Sequence, residues 1–314
     1  MIGKNILYMM LFTGLFIFIL TNCHTNEDFE SSTSSTTESS TSSTTIPLET
    51  NTFGCSKYYA VLISTNDVKF DDRMLHSEWW YDLFMQYKML LELGFIEDNI
   101  YVLYGMGNDF NSNHHDYNSN YEFQHEITDM ECNKSKIRDV FLNLSTKMND
   151  QDCLYVWWMG HGEVKSNDMC DLTLTIHHTG EEVSDIEFVE YLNMIKNYKS
   201  RWINIMTCYS GGIIDNLNIQ NNKTITFSSS SCDERSYDKL APCNVVHAEF
   251  DYDQTTAYRE KNPCDDSVQI DANGNRKVEM NEAFEYIYQT MYWSTPQKSD
   301  PDNMAAAAVI NTNQ

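Results

Sequence analysis

Five short, almost wholly apolar runs, set at intervals along the chain, constrain its fold more than any other feature. They fall at 58–64 (YYAVLIS), 99–104 (NIYVLY), 154–159 (LYVWWM), 202–207 (WINIMT) and 224–228 (TITFS). Runs this short, with no polar alternation, are what strands look like when both faces of a sheet are covered. Between the first four, the segments 76–93, 135–148 and 184–198 carry apolar residues at helical spacing. Strand followed by helix followed by strand builds a parallel sheet with helices on both faces. In such sheets ligands sit beyond the carboxyl ends of the strands, so polar residues there are the ones to read for chemistry.

Two of those ends carry reactive residues. The third run leads directly into Gly160-His161-Gly162-Glu163, and the fourth into Cys208-Tyr209-Ser210-Gly211-Gly212. In a parallel sheet both ends lie on one rim, which would bring a histidine and a cysteine together. A thiolate attacks a carbonyl, an imidazole carries the proton, and backbone N–H groups stabilise the oxyanion. Gly162 and Cys208 are the natural oxyanion donors, because Gly160 and Gly162 let backbone approach a scissile carbonyl and Gly211 and Gly212 relieve crowding at the turn after the cysteine. Taken singly, Cys208 reads as a buried thiol and His161 as a turn histidine; the pair at two strand ends is what points to nucleophilic catalysis.

Around these residues the chain resembles the caspase-like cysteine peptidases, nearest to the legumain family and the catalytic subunit of GPI transamidase. The resemblance is carried by VLISTNDVKFDDR (61–73), YVWWMGHGE (155–163), NIMTCYSGG (204–212), SSSSCDERSY (228–237) and HAEFDYDQTTAY (247–258). It implies a caspase-like three-layer α/β/α sandwich with a mainly parallel sheet, in which a histidine stands about 50 residues before the cysteine. It also implies hydrolysis of peptide bonds through a Cys208 thioester with His161 as proton shuttle, and no cofactor for catalysis. By the same resemblance Arg73, Ser236 and Glu249 would bind the substrate residue before the cut. An Arg beside a carboxylate offers donors and acceptors to a side-chain amide, so Asn or another polar residue is expected there. The chain departs from legumain at Met206, where that family has Glu. An amine acceptor in place of water would make the same acyl-enzyme a transpeptidase. A catalytically silent, caspase-like binding module is the reading from outside the enzyme class.

A second constellation lies at 271–282. Asp271, Asn273 and Asn275 occupy positions one, three and five of a calcium-type loop, Val278 the apolar eighth and Glu282 the twelfth. Ca²⁺ takes six to eight oxygens, and the sharp turn at position six is normally made by Gly, where this chain has Arg276. A bound structural Ca²⁺ and an unoccupied Asn/Gly turn both fit the spacing. His114, His115 and Asp116, in an Asn/Ser-rich loop at 108–120, read as a solvated loop near the substrate cleft. Trp79, Trp80, Trp157 and Trp158 read as core.

The remaining features say where such a domain would work. Residues 1–23 read as an export signal with an apolar run of 15 residues at 6–20, short of the roughly 20 that span a bilayer. Leu20-Thr21-Asn22-Cys23 resembles a bacterial lipobox, with Asn22 in place of the usual small residue. Lipidation at Cys23, plain secretion and an uncleaved anchor are the three readings. Residues 24–52 form a linker, since 14 of the 15 residues from Ser31 to Thr45 are Ser or Thr and cannot bury enough apolar surface to fold. The peptidase-like domain is then 53–314. In a eukaryotic host Asn133, Asn143 and Asn222 would be glycosylation acceptors. With 46 acidic against 21 basic side chains the net charge is −25, which excludes nucleic acid as a partner and leaves a lipid on Cys23 as the route to a membrane. Nine cysteines suit an oxidising compartment. Setting aside Cys23 and Cys208 leaves an odd number, so at least one more stays free or pairs between chains. Cys232, Cys243 and Cys264 are expected in bridges, and Cys153 as a buried small hydrophobe.

Overall fold

The computed structural model describes residues 54–65, 77–114, 116–165, 170–218 and 223–310. All lie in the unit Glu49–Gln314. Cys23, Arg73, His115, Asn222 and the Ser/Thr run fall outside the described residues.

A six-stranded sheet organises the domain. Its strands are β1 (Tyr58–Ser64), β2 (Ile100–Tyr104), β3 (Cys153–Met159), β7 (Ser200–Met206), β8 (Thr224–Ser228) and β11 (Gln297–Ser299), in the spatial order β11-β8-β7-β3-β1-β2. All neighbours are parallel except β11, which closes one edge antiparallel to β8. Along β1 the side chains alternate as a pleat requires: Ala60 and Leu62 enter one core, Tyr59, Val61 and Ile63 the other. The first core is covered by α1 (Ser77–Glu92), α5 (Glu249–Arg259) and α6 (Met280–Thr290), through Trp80, Leu83, Phe250 and Phe284. The second is covered by α2 (Lys134–Lys147), α3 (Asp185–Leu192) and α4 (Gly212–Asn218), through Phe141, Phe188, Ile213 and Leu217. The expected mainly parallel α/β/α sandwich is therefore what the chain forms. Trp80, Trp157 and Trp158 are at most 1% exposed and Trp79 4%, as core residues should be.

Four expectations change. The helix read at 184–198 stops at Leu192, where the backbone tightens into i→i+3 bonds from Met194 to Tyr191 and from Ile195 to Leu192, and Nη1 of the buried Arg201 donates to the Leu192 carbonyl at 2.9 Å. Ile195 and Tyr198 still reach the core, from a loop that mimics helical spacing. Cys153 is buried, yet it pairs with Cys55; the other bridges are Cys170–Cys232 and Cys243–Cys264. Cys132 is the odd thiol, free and buried. His114 is 5% exposed and packs its ring, tilted, against Phe110 at 4.8 Å between centroids, so this part of the loop is packed, not solvated. Finally, three short strands follow β3 where no strand was read. These are β4 (His161–Val164), β5 (Leu172–Ile176) and β6 (Glu181–Ser184), an antiparallel sheet of their own, and a further hairpin is made by β9 (Asp238–Leu240) and β10 (Val246–Ala248).

Candidate active site

β3 and β7 pair in parallel register from Cys153 opposite Ser200 to Met159 opposite Met206. Beyond that last pair the Gly160 N–H reaches the Met206 carbonyl at 3.2 Å, so the two chains leave the sheet side by side. His161 and Cys208 each stand two residues past the pair, and both line one cavity of about 790 Å³. Gly162, Arg235, Ser236 and Tyr237 line it too.

The glycines flanking His161 have a packing reason. A Cβ on Gly160 would sit 2.2 Å from Thr65 Oγ1, and one on Gly162 would sit 2.1 Å from the carbonyl oxygen of Cys208. Only a residue without a side chain lets β4 lie directly on the backbone of Cys208. At Gly162 the missing side chain also serves this contact between the two halves of the site.

The Cys208 side is wired from behind by hydroxyls. The Thr207 carbonyl accepts from Ser229 Oγ at 3.1 Å and Ser236 Oγ at 2.8 Å, while Ser210 and Ser230 exchange backbone N–H to Oγ bonds at 3.1 Å. Tyr209 takes φ +61°, a left-handed turn that costs a residue other than glycine roughly 1–3 kcal/mol. Its N–H donates to the Glu234 carbonyl at 2.7 Å. The Cys208 sulfur is half-buried and lies 3.9 Å from the Ser236 carbonyl oxygen. Burial pushes its thiol up, and the nearby Arg235 charge offsets part of that shift. Arg235 is itself tied to the Tyr209 hydroxyl at 3.4 Å.

His161 is held from the other side by rings. Trp79 of α1 packs edge-on against it at 4.9 Å between centroids, and His177 lies 5.3 Å away. The hairpin explains the second contact. His161 pairs with Thr175 across β4 and β5, and His177 is two residues further along the same face.

The other sequence candidates part company with this cavity. Arg73 is outside the described residues. Ser236 is on the wall, but its hydroxyl is spent on Thr207 and Ser229. Glu249 is not on the wall: it is 2% exposed, and its carboxylate accepts the N–H groups of Tyr292 at 2.8 Å and Trp293 at 3.1 Å. The expected pairing of Glu249 with a substrate amide therefore gives way to backbone ligation. Arg235, Tyr237 and Tyr209 are the wall residues that sequence reading missed. They sit in loops with no periodicity, and the runs SSSSCDERSY, for Arg235 and Tyr237, and NIMTCYSGG, for Tyr209, were their signals.

At 271–282 the loop closes on itself. Asp271 accepts the N–H groups of Gly274 and Arg276 at 2.7 Å and of Asn275 at 3.1 Å; Glu282 accepts those of Ala272, Asn273 and Glu279 at 3.1–3.2 Å. Arg276 adopts φ +66°, the left-handed turn expected of a glycine. Oδ1 of Asn273 and of Asn275 each accept a backbone N–H, and their amide nitrogens donate to Glu279. Burial and the adjoining Glu279 push the Glu282 carboxyl above its usual range. Among the described residues no group of three or more His, Cys, Asp or Glu is arranged to hold a metal ion, and no helix is long and apolar enough to cross a membrane.

No family model matches the sequence, and no curated protein matches it. Among solved structures the chain is similar to the crystal structure of caspase-1 from Spodoptera frugiperda, at 12% identity, covering 79% of this chain and 90% of that chain, with a TM-score of 0.48.

Proposed function

We propose that the chain is a cysteine-type endopeptidase with Cys208 as nucleophile and His161 as proton carrier. The observation that supports this most directly is that both residues leave the sheet at equal distance from one strand pair and line the same cavity. Because burial favours the protonated thiol, attack needs a base. His161 takes the proton as the sulfur adds to the scissile carbonyl. The oxyanion is met by the N–H groups of Gly162 and Cys208. His161 then returns the proton to the leaving amine, and water hydrolyses the thioester.

In this reading the residue before the cut is polar, with Asn as the working choice. The cavity wall carries a guanidinium, Arg235, and a carboxylate, Glu163, which together offer donors and acceptors to an amide. The proposed setting is outside the cytosol, by export and a lipid on Cys23 or by secretion. Three disulfides support it, since such bonds persist in oxidising compartments.

The test is direct. Iodoacetamide should label Cys208 ahead of the buried Cys132. Cys208→Ala or His161→Ala should lower turnover of a peptide library by about a thousandfold or more, with an unchanged circular dichroism spectrum. Full activity in the Cys208→Ala protein would overturn the mechanism. Product masses with an added amine separate hydrolysis from transfer.

A further inference from the structure

The segment after α6 carries the two most exposed large aromatics on the described surface, Tyr292 at 80% and Trp293 at 60%. A surface aromatic needs no explanation by itself. These two are unusual because the segment presenting them is pinned at every residue. Glu249 takes the N–H groups of Tyr292 and Trp293, Ser294 Oγ donates to the Ser229 carbonyl at 2.8 Å, and Glu234 takes the Thr295 N–H at 2.9 Å and its hydroxyl at 3.1 Å.

The anchors belong to the site. Ser229 and Glu234 are the residues that brace Thr207 and Tyr209. Glu249 binds in two directions, for its own N–H donates to the Tyr237 carbonyl at 2.9 Å while its carboxylate holds Trp293. Tyr237 and Trp293 are therefore fixed to one buried residue, with ring centroids 6.2 Å apart, and Tyr237 lines the cavity that holds Cys208. Two neighbouring rings on anchored backbone, both open to solvent and one of them lining the cavity, offer a surface for an apolar side chain.

We propose that Tyr237 and Trp293 form a subsite for an apolar or aromatic side chain of the substrate, two or three residues before the bond that Cys208 attacks, and that Glu249 is its positioning residue. The acyl side is part of the proposal; the Ser236 carbonyl lies 3.9 Å from the Cys208 sulfur, and Ser236 precedes Tyr237 in the chain. This deepens the peptidase reading and rests on it.

The experiment uses the full chain and peptidyl-coumarin amides that are identical except for Gly, Leu or Phe at the second or third residue before the dye. Wild type should favour Phe over Gly by about tenfold in kcat/KM at one of these positions, mostly through KM. Trp293→Ala should bring that ratio close to one, Trp293→Phe should restore most of it, and Glu249→Gln should lower it. Calorimetry of the same peptides with the Cys208→Ala protein is a second arm that needs no turnover. A ratio unchanged by Trp293→Ala, or equal binding of Phe and Gly peptides to Cys208→Ala, would overturn the subsite. Tighter binding of the Phe peptide that is lost in the double variant Cys208→Ala/Trp293→Ala, with no hydrolysis by wild type, would keep the subsite and remove the peptidase reading.

Discussion

The rim around Cys208 and the loop at 271–282 are both polar constellations whose spacing stands out in the sequence, and they are built in opposite ways. The loop is local: its carboxylates and amides bond to backbone and side-chain groups within a dozen residues, so its polar atoms serve the loop's own turn. The rim is assembled from distant strands. Its hydroxyls serve the backbone behind the nucleophile, while the sulfur, the imidazole and Arg235 face a cavity. A motif satisfied by its neighbours makes a good turn, whereas groups delivered by separate strands to one open cavity are placed for chemistry.

Gly162→Ala should break the rim most severely. The new methyl would meet the Cys208 carbonyl at 2.1 Å, so β4 must move off the nucleophile. Peptide turnover should fall about a hundredfold or more, as expected when reacting groups shift by an ångström, and the protein should lose roughly 1–3 kcal/mol from overpacking. A fully active Gly162→Ala protein would show that the contact between the two strands is not needed.

In the loop the expected loss is to stability alone. Glu282 and Glu279 form a reciprocal cap at the start of α6, and removing such a cap costs about 1 kcal/mol. Glu282→Ala should lower Tm by about 2–4 °C with turnover unchanged. Melts in chelator and in millimolar calcium should superimpose on each other. A calcium-dependent rise larger than the loss caused by Glu282→Ala would mean that the loop binds its cation after all, and the contrast with the rim would fail.

The smallest effect concerns charge. Burial raises the Cys208 thiol and Arg235 opposes it, so the thiolate fraction and the alkylation rate should rise with pH. Removing the guanidinium should move that profile to higher pH, since the neutral thiol then loses less to its charged form. Arg235→Ala should therefore slow iodoacetamide labelling a few-fold at neutral pH, consistent with an exposed charge in water, and the rates should converge at high pH. Superimposable profiles would remove Arg235 from the account of the thiol.

What was legible in the sequence follows the same division. β1, β2, β3, β7 and β8 were visible because both their faces are buried, and the meeting of positions 161 and 208 followed from parallel pairing alone. The end of α3 was not, because Ile195 and Tyr198 keep helical spacing while the backbone has already turned, and the Leu192 carbonyl meets Arg201 from another strand. The short strands β4 and β6 were hidden, since four residues such as HGEV and EEVS carry no distinctive period, whereas β5, LTLTI, alternates strictly and was legible but not read. Glu249 was misplaced because a sequence reveals a carboxylate without revealing which N–H groups will claim it. Disulfide partners are a matter of three-dimensional proximity, and Cys55 and Cys153, 98 positions apart, gave no hint of it.

The Cys170–Cys232 bridge has a practical consequence. It fastens the stretch that leads into β5, the hairpin strand facing His161, to the loop that continues into Arg235 and Ser236. A reductant strong enough to rescue an oxidised Cys208 would also be offered this cross-link, so preparations kept in dithiol and preparations kept in air would differ in two places at once. Comparing them fairly requires a mild monothiol, or a Cys170→Ser/Cys232→Ser protein as the reference state.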